Sequence, residues 1–407
     1  MDVSIARKKS GVARALFSVL TLMAGVAQVH AASVPEDGVR FACSPKQLDG
    51  IEPQVAAYLK GLGIDGTMFV KHRAPGGQTL TYTLATPSTD TNTLTLRFRP
   101  QFGIEDETVQ LPAADGKTRD VVTVSKKEIM LALMQHGRLT EFSGEGCSLE
   151  ALSDQVGLRQ NIVAFAEVLE WQWPDGESAS WNAKYWERGT PKANAPVEAA
   201  LADAFINQGQ YGIGCYTASK MVYSHSVLDY YHRVKGDAAR ANLVKARLMA
   251  DGEPLVDVEP GSMWSFEKEF DPAEMRRPGK VLKIQYGVAA DNFVPGDWSY
   301  FLNTDPVTYE KTGYEGSNAI YLGRNRYDDY YNDNEHSYTF EQKIDEVYQW
   351  RNGVFSRSRD HDKIRPLTPA EFDHLTQTPA KGGLLLDLRV SPYAFGFEPL
   401  PALTPAP

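Results

Sequence analysis

A cysteine that follows two spaced glycines and opens a helical pattern is the residue of this chain best suited to chemistry. It stands in Tyr211-Gly212-Ile213-Gly214-Cys215-Tyr216-Thr217-Ala218-Ser219-Lys220. This context puts Cys215 at or near a helix N-terminus, where unpaired N–H groups and the positive dipole end favour an anion. A thiolate is stabilised there, so the Cys215 pKa is expected to fall. The same N–H groups could receive the oxyanion of a tetrahedral intermediate, with Gly212 and Gly214 letting substrate approach the backbone. A core cysteine in a Gly-kinked helix start fits this window equally well. Two later windows could face the sulfur. Val294-Pro295-Gly296-Asp297-Trp298-Ser299-Tyr300-Phe301 is a turn running into a bulky strand. Tyr314-Glu315-Gly316-Ser317-Asn318-Ala319-Ile320-Tyr321-Leu322-Gly323 is a turn, a buried strand and a terminating glycine, with Glu315, Ser317 and Asn318 at its mouth. His225 and His232 lie farther along the Cys215 helix, about 15 and 25 Å from its start, and read as packing or surface histidines. Asp328, Asp329, Asp333 and Glu335 lack the glycine of a calcium loop and read as a solvated loop.

Taken in order, these blocks resemble the bacterial spore-coat protein-glutamine gamma-glutamyltransferases, small calcium-independent transglutaminases on a papain-like, NlpC-type core. The resemblance covers about residues 147–356. It includes Leu158-Arg159-Gln160-Asn161-Ile162-Val163-Ala164, Tyr185-Trp186, Cys215-Tyr216-Thr217-Ala218, Gly296-Asp297 with Tyr300-Phe301-Leu302-Asn303, Gly316 to Gly323, and a last helix with Ile344-Asp345 and Trp350-Arg351. The chain departs from the family at three points. Gly214 replaces a glutamate before the cysteine, and Ser317 replaces a catalytic glutamate. Tyr330 stands at the ungapped position of a histidine, with His336 following on a longer loop.

The resemblance implies that Cys215 attacks a glutamine carboxamide to give a thioester and ammonia, after which a lysine amine takes the acyl group. His336 would be the acid/base, oriented by Glu315, with Ser317, Asn318 and Asp297 as possible supports. No metal or organic cofactor is required. The partners are protein substrates bearing glutamine and lysine, or peptidoglycan peptides. Two rivals share the core: a cysteine amidase, endopeptidase or deamidase, and an inactive binding relative.

The elements that must position these residues are legible from periodicity. Residues 33–146 read as a small α+β domain, with a helix over Ile51–Leu62, strands over Leu80–Leu84, Leu94–Arg99 and Val121–Val124, and a helix Ile129–His136 capped by Ser125 and Glu128. Residues 147–365 read as helices over Leu149–Trp171, Val197–Asn207 and Cys215–Val234. Strands at Val281–Tyr286, Trp298–Leu302 and Ala319–Leu322 follow, then a helix Phe340–Trp350. The fold class is α+β. Residues 366–407 read as a Pro-rich extension with a disordered end.

The 407 residues, 42% apolar and with a net charge of −10, support packed cores and argue against a nucleic-acid partner. Residues 1–32 read as a signal peptide: Arg7, Lys8, Lys9 and Arg14, an apolar stretch Ala15–Ala27, and Val29-His30-Ala31 at the cleavage site. The apolar stretch is too short for a membrane span. The chain is therefore expected to be periplasmic or secreted, where disulfides form. Of three cysteines, Cys43 and Cys147 flank the N-terminal domain and are expected to pair, leaving Cys215 free.

Overall fold

The computed structural model describes residues 36–174, 177–250, 279–332, 337–355 and 361–403; the expected signal peptide and His336 lie outside them. The N-terminal part runs β1 (Gly38–Ala42), α1 (Pro45–Gly61), β2 (Phe69–Arg73), β3 (Thr79–Leu84), β4 (Glu107–Pro112), β5 (Thr118–Thr123), α2 (Lys126–Met134) and β6 (Leu139–Ser143). The order β2-β3-β1-β6 makes one sheet, and β4 pairs with β5 as a separate ribbon. β1 and β6 are parallel and in register at Phe41 and Phe142, whose rings stack 5.2 Å apart.

The strand expected over Leu94–Arg99 is instead a 3-10 turn, Leu96–Phe98. Local polar bonds close the chain on itself there, in competition with a sheet ladder. The Thr95 N–H donates to Asn92 Oδ1 at 3.2 Å, and the Arg99 guanidinium reaches Asp90, the Asn92 carbonyl and Thr95. At α2 the Ser125 hydroxyl caps the Glu128 N–H as expected. The Glu128 carboxylate does not return the bond. It accepts the Arg324 N–H at 2.7 Å instead.

The next helices are α3 (Leu149–Ala166), α4 (Val197–Ile206), α5 (Cys215–Asp229) and α6 (Ala238–Leu248), with the short pair β7 (Trp186–Glu187) and β8 (Thr190–Pro191) before α4. The second sheet holds β9 (Leu282–Tyr286), β10 (Trp298–Leu302), β11 (Gly316–Gly323), β12 (Arg326–Asp328) and β13 (Ser337–Tyr338). After α7 (Phe340–Trp350) and α8 (Pro369–Leu375) comes β14 (Leu388–Pro392). The strand order is β13-β12-β11-β10-β14-β9, with antiparallel pairings. The stretch read as a C-terminal extension thus supplies an interior strand, and Arg389 within it is fully buried. All eight residues of β11 are buried, and α5 packs on this strand. A two-residue turn with positive φ at Arg324 and Asn325 joins β11 to β12, the geometry that matches strand twist.

One apolar core runs from Val39 and Leu80 through Leu158, Val163, Met221 and Val227 to Val390 and Phe395, so it spans the boundary expected at residues 146 and 147. The described residues belong to a single compact unit, Pro35–Pro407. No helix among them is long and apolar enough to cross a membrane.

A charged cluster is enclosed in this structure. Asp297 accepts from Arg138 Nη1 at 2.6 Å and from Arg159 Nη1 at 2.9 Å, and the side chains of Asp297 and Arg138 have no exposed surface. Asp297 also accepts the Val294 N–H at 2.8 Å, closing the Pro295-Gly296 turn, where Gly296 has φ +83°. A side chain at Gly296 would meet the Arg159 backbone. Burial pushes the Asp297 carboxyl up, but the two guanidinium groups outweigh burial and hold it below the ordinary carboxylate value.

Two outcomes follow for stability. Asp297→Ala strands two buried cations and should cost about 3–5 kcal/mol in urea unfolding. Because the folded pKa is depressed, the Asp297 contribution is present above the unfolded carboxylate pKa of about 3.9 and lost as pH falls through the lower folded value. An unchanged urea midpoint would overturn this assignment. The Cys43–Cys147 disulfide closes a span of 104 residues. Its reduction should remove about 4–5 kcal/mol in the chain-entropy model, read as a lower melting temperature with reductant in a Cys215→Ala background.

Candidate active site

Cys215 opens α5 behind Gly214, which takes the N-cap position with extended backbone and no capping side chain. An added Cβ at Gly214 would meet nothing within 4 Å, so the approach to the helix start is open there. Gly212 is different from expectation. It exchanges backbone hydrogen bonds with Ser180, and a Cβ would strike the Ser180 hydroxyl, so this glycine serves packing and not access.

The sulfur faces the mouth of β11. It lies 4.0 Å from the Gly316 carbonyl oxygen, and Asn318 Nδ2 donates to it at 3.4 Å. The Asn318 amide cannot turn round. Its Oδ1 accepts from Trp298 Nε1 at 2.9 Å, and an indole nitrogen can only donate. The NH2 end must therefore point at Cys215. Trp298 is fixed in turn by its β10 register opposite Ile320 and by the Tyr216 ring, 5.3 Å away edge-on. Gly316 is glycine because the Tyr300 ring fills the space where a Cβ would be.

The environment of the thiol corrects the expectation of a lowered pKa. Cys215 keeps part of its residue surface open, but its sulfur is enclosed, and burial pushes the thiol up. The Asn318 side-chain and backbone N–H groups and the Lys343 charge pull it back, while Glu315 adds a small push upward. A helix start alone does not offset the loss of water around the anion.

Of the expected site residues, Ser317 and Asn318 line the Cys215 pocket. Glu315 stands at the strand mouth with Oε2 accepting the Gly313 N–H at 2.9 Å, and burial raises its carboxyl. Asp297 lies beneath the site, with both oxygens committed to the arginines, and its reach to the sulfur is indirect, through Trp298. His225 is sandwiched by Phe165 and Phe205, ring centroids 4.4 and 4.3 Å away, and burial pushes it down to about 4.

Tyr330, which the sequence sets at the ungapped histidine position, also lines the pocket, and Asp328 and Asp329, which read as a solvated loop, are instead buried; the other wall residues carry no signal of their own in the sequence. Trp173, Tyr314, Tyr331 and Trp350 supply the pocket's aromatic sides, and Asp329, Tyr330, Lys343 and Glu346 its polar ones. Lys343 and Glu346 form a buried ion pair at 2.7 Å. Their spacing of three on α7 was visible in the sequence, but such pairs usually mark a solvated face. Among the described residues no group of three or more His, Cys, Asp and Glu is placed to hold a metal ion.

A free cysteine at a helix start, packed on an antiparallel sheet whose central strand aims donors at the sulfur, is the arrangement of a papain-like protein. The family model for protein-glutamine gamma-glutamyltransferase matches residues 104–352, more than half of the chain, and the chain belongs to that family. The match begins upstream of the resemblance read from the sequence and takes in β4 to β6. The solved transglutaminase from Geobacillus stearothermophilus, without its C-terminal extension, is similar to this chain at 17% identity. That likeness covers 61% of this chain and 95% of the other, with a TM-score of 0.38. No curated protein matches the chain.

Because Asn318 favours the thiolate, Asn318→Ala should raise the Cys215 pKa further. The thiolate fraction grows with pH, so the midpoint of iodoacetamide alkylation against pH should move to the alkaline side and the rate at pH 7 should fall. An unmoved midpoint would mean that the amide does not act on the sulfur.

Proposed function

We propose that this member of the family is an exported enzyme that forms glutamine–lysine isopeptide bonds through a Cys215 thioester. The observation that carries the reading is the Asn318 amide, locked by Trp298 and directed at the Cys215 sulfur. Such a donor stabilises charge on sulfur, as a nucleophile requires, and a core cysteine has no use for it. In the first step the Sγ–C bond forms at the glutamine carboxamide and the C–N bond breaks. The thiol proton leaves with the nitrogen as ammonia. In the second step a lysine amine attacks the thioester carbonyl, the C–N bond forms as the C–Sγ bond breaks, and an amine proton passes to sulfur to restore the thiol. His336 is assigned the proton transfers and Glu315 its orientation. Export is supported by the signal-like N-terminus and by the Cys43–Cys147 disulfide, a bond suited to an oxidising compartment.

Incubation of the mature protein with a glutamine-bearing protein and a labelled primary amine should give labelled product, and Cys215→Ala should abolish it with the fold intact. Ammonia release without amine incorporation would favour the hydrolase, and inertness toward both protein and cell-wall fragments would favour a binding role. His336→Ala should raise the apparent thiol pKa and cut turnover by about 100-fold or more. An unchanged alkylation profile with retained turnover would remove His336 from the mechanism.

A further inference from the structure

Two residues beyond β12 the chain does something costly. Tyr330 adopts φ +66°, in the left-handed region that suits glycine and strains an aromatic residue. Such strain persists where surrounding contacts over-determine it, and it clusters at functional sites. The contacts here are explicit. The Tyr330 N–H donates to Asp328 Oδ1 at 3.1 Å, and its carbonyl accepts the Trp171 N–H at 3.0 Å. A glycine or asparagine would satisfy this backbone with less strain, so what the strained turn delivers is the phenol. Tyr330 is 1% exposed, yet it lines the pocket that holds Cys215.

The phenol oxygen lies 2.7 Å from Ser219 Oγ. Ser219 is fully buried and donates its own hydroxyl proton to the Cys215 carbonyl, 2.9 Å away and one turn back along α5. With that proton committed, the phenol is the donor to Ser219. The result is a directed line of hydrogen bonds, Tyr330 to Ser219 to the Cys215 backbone. It clamps the first turn of α5 from the side of the second sheet, while Asn318 reaches the Cys215 sulfur from β11. Burial holds the phenol protonated, as a donor must be.

We propose that Tyr330 is a positioning residue for the nucleophile, acting through Ser219 to hold Cys215 where the Asn318 amide meets its sulfur. The inference rests on the reading of Cys215 as the nucleophile. It differs from a generic packing role because loosening the clamp lets the 3.4 Å N–H···S contact lengthen. That change acts on the thiol's acidity and on turnover more than on substrate binding.

The test is a double-mutant cycle on the full mature chain with Tyr330→Phe, Ser219→Ala and both together. Alkylation by iodoacetamide against pH is the first readout, kcat and KM for amine incorporation the second, and melting temperature the control. Each single variant should move the alkylation midpoint to higher pH and lower kcat by about tenfold, the scale of one lost hydrogen bond, with KM little changed. Because both residues act on one line, the double variant should match the singles. Losses in kcat that multiply in the double variant, or alkylation midpoints equal to wild type, would overturn the proposal. Should Tyr330→Phe fail to fold, Ser219→Ala decides alone: a shifted midpoint supports the clamp and an unshifted one overturns it. The alkylation cycle needs no substrate. A wild type inactive in amine transfer would therefore refute the proposed function without deciding this inference.

Discussion

The position of the Cys215 sulfur depends on a buried charge cluster, two guanidinium groups on one carboxylate. Asp297 lies between Arg138, just before β6, and Arg159 in the middle of α3, and all three are buried. Desolvating such a group is tolerable only if the partners are held in good geometry. That requirement fixes three segments against one another: the N-terminal sheet, the helix behind the site, and the turn entering β10. The residue after Asp297 is Trp298, whose indole nitrogen orients Asn318, whose amide meets Cys215. From ion cluster to Cys215 the line thus runs through the backbone of β10, from Asp297 to Trp298, and then through two polar contacts.

The same line explains why the site tolerates a buried thiol. Enclosing sulfur raises its pKa, which works against nucleophilic attack. The counterweight comes from fixed donors and not from solvent: two N–H groups of Asn318 beside the sulfur and the Lys343 ammonium at a greater distance. Lys343 is itself neutralised by Glu346 at 2.7 Å, so its influence is that of a dipole more than of a free charge. The donors nearest the sulfur therefore dominate, and they depend on β10 and β11 staying in register.

Much of this was readable in the sequence, for physical reasons that also mark where reading stopped. The α7 helix shows both capping signals and a clear apolar stripe, and it occupies Phe340–Trp350 as expected. Cys215 was visible because glycines followed by a helical pattern can only begin a helix. The run Leu94–Arg99 misled because alternation is a statement about burial, and Leu94 and Leu96 are indeed buried, but in a turn closed by Asn92 and Arg99. Asn318 was named only among possible supports because its importance comes from Trp298, twenty residues earlier and on the neighbouring strand. Asp297 was placed near the chemistry because Pro-Gly-Asp is a local motif. Its arginine partners lie 159 and 138 residues away and leave no local trace. The strand β14 was missed for a related reason. Prolines around it signal an extension, and only the free ladder between β9 and β10 shows that a strand belongs there.

The walls of the pocket bear on how a thioester would be resolved. Water at bulk concentration competes with any amine for an acyl-enzyme, so a transferase must limit water more than it must accelerate the amine. Here one side of the wall is aromatic and the other polar. Trp173 packs edge-on against Tyr331 and Tyr314, and Tyr314 against Trp350, with ring centroids between 5.1 and 6.2 Å. Rings so interlocked leave little room for ordered solvent, while their faces accept the aliphatic stem of a glutamine or lysine side chain. The aromatic side also lowers the local dielectric, which strengthens the Asn318 donor bonds to charge on the sulfur. The enclosure that raises the thiol pKa is thus the same feature that would protect a thioester on Cys215. The fixed amide of Asn318 lets one pocket do both.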